Sequence, residues 1–553
     1  MKKNILVFFL LFTFVFPSSS LAQTAAKANS SARKAAEIIT AETLKDYLYN
    51  VSSDEMEGRD TPSRGLDLTA KFIALNLKRW GFKPAGDDGT FFQKIALRRD
   101  IVDPANTSVE IGGRKFGFGE DFMRVSGSTN GAFSAPVVYA GNGWLVKSKN
   151  LNPYQGIDVK GKFIAVYGEG AITSPQSLVP LPEGVTPADL QGNRGTDWAD
   201  AVTFARQNGA AGVIVLPSKF LQENWSTVKQ LFGRTRTYVE KLAEPPTPNR
   251  PSVSVFLAST SFAEAIFANE AQNPLTGTTR NSFDLSAGKN LNFNIALKPE
   301  TLYTQNVAAI WEGGDAKLKN EMVAVGAHYD HVGIQPNARG EDKIWNGADD
   351  DGSGTVAVLN IAEALSKSPK RPKRSVLLVW HTGEEKGLWG SEYFNKFPTV
   401  NIKNVVAQLN IDMIGRSKKA DDINPRNKDL STETEIYVIG SEMMSSKLGE
   451  VTKSINNSFL KLNYNYRYDD PKDENRFFFR SDHYNYAVNG IPIVFWFDGV
   501  HEDYHQPGDE AQKIDYNKMQ NVARTIFLTM WELSDLKERP KVDKQLPPEL
   551  TNR

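Results

Sequence analysis

Apolar positions along this chain follow three rhythms in succession, and each predicts a different architecture. Between Ala41 and Phe82 they recur every three or four residues, in TAETLKDYLYNVSS and LDLTAKFIALNLKRWGF, which predicts two amphipathic helices. Thr40 stands where the first would be capped and Gly81 where the second would end. From about Asn130 to Thr260 the pattern becomes short β-type runs, APVVYAG, GKFIAVYG and AGVIVL, divided by glycine and proline turns. A helical stretch, DWADAVTFARQNG, lies between the last two. After about Leu291 the runs NVAAIWE, EMVAVGA, SVLLVWH, NVVAQLNI, EIYVIG and IPIVFWF alternate with helical segments such as SGTVAVLNIAEALSK and NKMQNVARTIFLTMWELSD. Strands that are apolar at almost every position belong to a sheet buried on both faces.

The expected fold is α/β: a mixed, largely parallel sheet covered by helices on both faces, with an inserted smaller β-rich α+β domain. A length of 553 residues agrees with more than one domain. The expected borders are a signal peptide at 1–22, a disordered run-in at 23–39, a first catalytic part at 40–125, the insert at 126–288, a second catalytic part with the functional site at 289–536, and a flexible tail at 537–553. The first of these rests on Met1-Lys2-Lys3, an apolar run from Ile5 to Phe16, and PSSSLAQ, in which Ser20 and Ala22 are the small residues before a cut. That run is too short to span a bilayer comfortably, and no later segment approaches the length of a span. The expected location is therefore outside the cell or in a periplasm.

Charge removes some partners from consideration. Lysine plus arginine and aspartate plus glutamate balance at 65 each, so no global field recruits nucleic acid or an acidic membrane. The absence of cysteine excludes a disulfide scaffold and a thioether-linked lipid, and leaves stability to the core.

The candidate chemistry lies in the last third of the pattern. All six histidines fall between His328 and His505, interleaved with GAHYDHVG, NGADDDGSG, HTGEEKGLWGS, NIDMIGR and DYHQPGDE. His328, Glu384, Glu385, Asp412 and His505 each follow an apolar run, and the carboxyl ends of strands in an open α/β sheet converge on one crevice. Asp330 is placed to orient the ring of His328, whereas His331 reads as outer support or structure. The Asp349-Asp350-Asp351 triplet reads equally as a helix cap or as a cation site. Adjacent Glu384 and Glu385 offer one ligand and one free base. Asp412 ends an apolar run, where an unpaired charge is costly.

These five motifs, in this order, resemble the co-catalytic zinc metallopeptidase family of bacterial leucyl aminopeptidases and glutamate carboxypeptidase, with the zinc-exopeptidase fold; the middle segment resembles an inserted protease-associated domain. The resemblance implies two divalent metal ions, zinc being the best suited, one on His328 and Asp412, the other on Glu385 and His505, with Asp350 bridging them. It further implies Glu384 as general base, Asp330 as the residue orienting His328, Tyr504 as an oxyanion-stabilising hydroxyl, and a cis bond between Asp350 and Asp351. The implied activity is hydrolysis of N-terminal peptide bonds by a metal-activated bridging water, with peptides bearing a free N-terminus as substrates. A carboxypeptidase or dipeptidase shares the same site; a glutaminyl cyclase or an inactive receptor-like protein fits the complete ligand set less well. Ser481, Asp482 and His483 resemble a segment near the substrate pocket, and Arg416 and Arg480 are candidates to meet a substrate carboxylate.

Overall fold

The computed structural model describes residues 29–127, 130–169, 179–232, 237–243, 253–276 and 281–551. The expected signal peptide lies outside the described residues. Two compact units are formed: residues 1–95 with 304–553, and residues 96–303.

The first unit is built on a sheet whose strands, apart from the short polar edge strand Asn463–Asn465, come from the apolar runs of the sequence. They are β1 (Leu297–Trp311, the part from Thr304 lying in this unit), β2 (Met322–His328), β3 (Ser375–His381), β4 (Val405–Ile411), β5 (Glu435–Ile439), β6 (Asn463–Asn465) and β7 (Ile493–Phe497). Their order is β1-β3-β2-β4-β7-β5-β6. The pairs β3/β2, β2/β4, β4/β7 and β5/β6 are parallel, whereas β1/β3 and β5/β7 are antiparallel. Side chains alternate between faces with the period of two that a strand imposes. Val323, Val325 and Ala327 enter one core cluster, and Met322 and Ala324 enter another on the opposite face.

Helices cover both faces. On the first lie α1 (Ser30–Ala36), α2 (Ala41–Val51), α3 (Arg64–Arg79), α4 (Gly354–Lys367), α6 (Ser446–Ser458) and α8 (Tyr516–Asp535); on the second lie α5 (Trp389–Lys396) and α7 (His483–Val488). Thr40 caps α2, accepting from the amide of Thr43, and Ser63 caps α3 in the same way from Leu66. Gly81, just past α3, takes φ 80°.

Two expectations are corrected here. The run-in expected to be disordered forms α1 over its described part: Asn29 caps it, and Ala32, Ala35 and Ala36 are buried on one face. The tail expected to be flexible is fastened over 537–551. Arg539 pairs with Glu321 at 3.0 Å, the amide of Asp543 donates to the Met444 carbonyl at 3.1 Å, and Leu550 is buried.

The second unit has a nine-stranded sheet. At its centre Gly131–Tyr139, Phe163–Val166, Gly212–Val215 and Ser254–Ala258 run parallel, with the helices Ala201–Gln207 and Thr260–Phe267 in its connections. It extends beyond the expected 126–288 borders on both sides. Ser108–Ile111 pairs with Arg114–Gly117 and with Asn290–Ile295, and the latter pairs with Gly131–Tyr139, so a border at 125/126 or 288/289 cuts through one sheet.

Candidate metal centre

The carboxyl ends of four parallel strands supply the site. His328 is the last residue of β2, Glu384 and Glu385 follow β3, Asp412 follows β4, and His505 lies in the loop beyond β7. The aspartate triplet arrives from the turn that starts α4, and all three of its members are buried, which rules out a solvated cap. Arg59, fully buried, fixes this region from behind. Its guanidinium donates to the carbonyls of Tyr329, Val51, Asn346 and Gly347 at 2.7–2.9 Å.

Backbone amides separate the roles of the three aspartates. Asp349 Oδ1 accepts from Gly415 N at 2.7 Å, and its Oδ2 lies 3.2 Å from His501 Nε2. Asp351 Oδ1 accepts from Gly354 N at 2.9 Å and Met413 N at 3.1 Å. Asp350 is held by its own amide, which donates to Asp509 Oδ2 at 3.0 Å, so its carboxylate is left to face the imidazoles. Oδ1 is 3.3 Å from His328 Nε2 and Oδ2 is 3.1 Å from His505 Nε2. The Asp350–Asp351 peptide bond is cis.

Around this carboxylate the remaining groups fall into two sets. His328 Nε2 is 3.6 Å from Asp412 Oδ1, and His505 Nε2 is 3.0 Å from Glu385 Oε2. Glu384 Oε2 stays 4.0 Å from His328 and lines a cavity with Tyr504, Phe477, Phe495, Phe497 and Arg480. His505 and Met413 adopt left-handed backbone, φ 51° and 60°, a conformation unusual for such residues and frequent at functional sites. Asp330 divides its expected role. Its carbonyl lies 3.1 Å from His328 Nδ1, its carboxylate is farther at 3.7 Å, and its Oδ1 accepts from the amide of Glu384 at 3.2 Å.

Electrostatics at the centre favour a positive partner for its carboxylates. Burial pushes the carboxyls of Glu384 and Asp412 above their ordinary range. His505 is pushed down by burial, but the carboxylates of Asp350 and Glu385 outweigh this and raise it to about 10. Asp350 Oδ2, Glu385 Oε1 and His505 Nε2 are buried without a hydrogen-bond partner among the described residues. Imidazole nitrogens and carboxylate oxygens without thiolate, orphaned and converging, fit divalent cations of the zinc, manganese or cobalt type.

Several contributors were not anticipated. His331, read from sequence as support, lies with its Nδ1 3.0 Å from Glu385 Oε1. Arg59 and Asp509 hold the loop that carries Asp350; no local pattern marks Arg59, and Asp509 lies within DYHQPGDE without being singled out there. Arg416 is buried against Asp503 at 2.9 Å and is thereby removed from any role with a substrate carboxylate. Arg480 reaches the cavity and donates to the Tyr504 hydroxyl at 3.2 Å, while the Tyr504 ring stacks on His505 at 4.0 Å. Ser481 accepts from Asn410 at 2.7 Å. Burial raises Asp482 to about 7, and His483 stacks on Phe495 at 4.6 Å as a neutral core residue, lowered by burial to about 3.

A paired imidazole–carboxylate centre at the carboxyl ends of parallel strands has the donor set of a divalent-cation site. Residues 306–530 match the model of Peptidase family M28. A probable leucine aminopeptidase of Trichophyton verrucosum is 29% identical over 237 residues, which are 41% of this chain and 57% of that protein. Leupeptin-inactivating enzyme 1 of Streptomyces exfoliatus is 31% identical over 185 residues, 32% of this chain and 39% of that one. The matches thus span 57% and 39% of the length of these relatives. Among solved structures, an aminopeptidase from Aneurinibacillus sp. strain AM-1 has 17% identity and a TM-score of 0.49, covering 94% of this chain and 98% of the other. A zinc aminopeptidase from Bacillus subtilis has 18% identity and a TM-score of 0.46, covering 92% and 98%.

Proposed function

We propose that this protein is an exported metal-dependent exopeptidase, an aminopeptidase that uses two zinc ions to remove residues from peptides with a free N-terminus. The observation that carries this reading is the Asp350 carboxylate facing two imidazoles, beside a cavity into which Glu384 projects free of both ligand sets. His328 and Asp412 would hold one cation, Glu385 and His505 the other, with Asp350 shared. When bound, the cations supply Lewis acidity, which makes a water acidic and polarises a carbonyl. Glu384 takes the proton of the attacking water and later passes it to the leaving amine. Tyr504, whose oxygen accepts from Arg480, keeps its own proton to donate to the carbonyl oxygen as charge develops there. Asp330 holds Glu384 through its amide and His328 through its carbonyl. Among the described residues no helix is long and apolar enough to cross a membrane; export rests on the N-terminal pattern, and cleavage before Gln23 in the exported protein is its test.

A second reading, a carboxypeptidase, is favoured by one observation. Arg480 lines the cavity and, among the described residues, donates to the Tyr504 hydroxyl rather than to a carboxylate. Mass spectrometry of a peptide mixture, half of it N-acetylated, separates the two. Trimming from free N-termini only, abolished by chelation and restored by zinc, is expected. Trimming of acetylated peptides from the C-terminus would replace the aminopeptidase by the carboxypeptidase, and no cleavage by zinc-loaded protein would refute both.

A further inference from the structure

One imidazole at the centre is left over once the family-type ligands have been assigned. His331 is fully buried, its Nδ1 lies 3.0 Å from Glu385 Oε1 and 3.7 Å from Asp350 Oδ2, and its ring meets that of His505 edge-on at 5.5 Å. Its backbone is pinned as well, because its amide donates to the Arg59 carbonyl at 3.1 Å while the Arg59 side chain holds Tyr329 two residues earlier. The placement of this ring is therefore fixed from both sides.

A buried imidazole is ordinarily either packed against apolar groups or hydrogen-bonded. His331 is neither. No ring nitrogen of His331 has a hydrogen-bond partner among the described residues, and Glu385 Oε1 lacks one too, although the two atoms are 3.0 Å apart. At that distance only direction is wanting, so the nitrogen and the oxygen do not aim at each other. His505 Nε2 has the same character. It lies 3.0 Å from Glu385 Oε2 and 3.1 Å from Asp350 Oδ2 and is hydrogen-bonded to neither. Donor atoms that share a cation aim at the cation rather than at one another, and ligands about 2.0–2.2 Å from zinc stand roughly 3–3.5 Å apart in a tetrahedral site. One ligand atom from each of His331, Asp350, Glu385 and His505 falls within 4.8 Å of all the others.

We infer that His331 Nδ1 is a fourth protein ligand of the cation held by Glu385, His505 and Asp350. The inference rests on the two-cation reading and goes beyond it, because it makes the two positions unequal. One has two imidazoles and two carboxylates, and the other has the single imidazole of His328 with Asp350 and Asp412. Imidazole-rich sites suit zinc, whereas carboxylate-rich sites also accept manganese or magnesium. The His331 position is thus the one that retains zinc, and the His328 position is the one that exchanges.

The test counts histidines per metal in the intact protein. The chain is loaded with cadmium-113, and proton–cadmium correlation spectra are recorded with histidine ring protons assigned. One cadmium signal correlated with two histidine rings and a second correlated with one is the expected result. One ring per cadmium overturns the inference while leaving the two-cation reading intact, and failure to take up either cadmium or zinc overturns both. In His331→Gln, chelator competition is expected to show the tightly held zinc weakened by more than about 100-fold, since loss of an outer supporting residue costs only about 10–100-fold. A smaller loss, in a variant whose metal-free melting temperature is unchanged, returns His331 to a supporting role. Should that variant not fold, the cadmium spectrum of the unmodified protein decides alone.

Discussion

Replacing Glu384 by glutamine separates proton transfer from everything else this residue does. The side chain is 12% exposed, its amide is anchored on Asp330 Oδ1 at 3.2 Å, and it stands 4.0 Å from the nearest imidazole, whereas the neighbouring Glu385 lies within 3.0 Å of two. Glutamine keeps the volume and the anchored amide but cannot accept the proton. Burial already pushes the Glu384 carboxyl toward its neutral form, so a neutral amide adds no desolvation cost, and an unchanged melting temperature at neutral pH is expected. A positioned general base contributes about 10²–10⁴ in rate, or roughly 3–5 kcal/mol of barrier. Because this help exists only in the transition state, kcat and kcat/KM should fall together with KM nearly constant. Initial rates on the peptides trimmed by the unmodified enzyme, together with zinc content by elemental analysis, make the assay. A loss of less than about tenfold with zinc retained would refute the base assignment. Loss of zinc along with activity would instead make Glu384 a ligand.

Three further outcomes follow from the same geometry. Tyr504→Phe removes a donor aimed at the carbonyl oxygen and should lower kcat by about 10²–10³ with little change in KM; an unchanged kcat would leave the hydroxyl only its bond to Arg480. Arg59→Met orphans four buried carbonyls and should destabilise the first unit by about 3 kcal/mol or more; a denaturant midpoint equal to that of the unmodified chain would contradict the clamp. His381 and His483 are each lowered to about 3 by burial, so below pH 6.5 the unfolded chain gains protons at these two rings that the folded one refuses, and their contribution to stability falls as pH falls. At about 1.4 kcal/mol per unit for each once fully developed, the pair withdraws roughly 3 kcal/mol between pH 6.5 and 5; His483→Phe should remove half of that contribution, and a pH dependence left unchanged by the substitution would show that His483 is not buried neutral.

The parts of this molecule that the sequence made legible share one physical property, namely that their burial is written in their own side chains. A strand such as SVLLVWH, buried on both faces, has no polar position to hide, and the residue after it must lie at the open end of the sheet. That is why His328, Glu385, Asp412 and His505, far apart in the chain, could be expected to meet, and the structure brings their side chains together around Asp350. Where burial or fixation is supplied by a distant backbone, the local pattern carries no trace of it. The helix Ser30–Ala36 buries three alanines, too small to mark an apolar stripe among polar neighbours, and the tail is held largely by main-chain and charged groups such as the Met444 carbonyl and Glu321.

The aspartate triplet shows the same limit inside the site. Asp349, Asp350 and Asp351 are chemically identical and adjacent, so no spacing rule chooses among them, and only resemblance pointed to the middle one. The choice is made by the loop after β4, whose amides at Met413 and Gly415 take Asp351 and Asp349, and by Asp509, which draws the amide of Asp350 the other way. On the proposed two-cation reading the identity of the shared ligand is set by groups outside the ligand set, and Asp509 helps determine which carboxylate faces the two imidazoles.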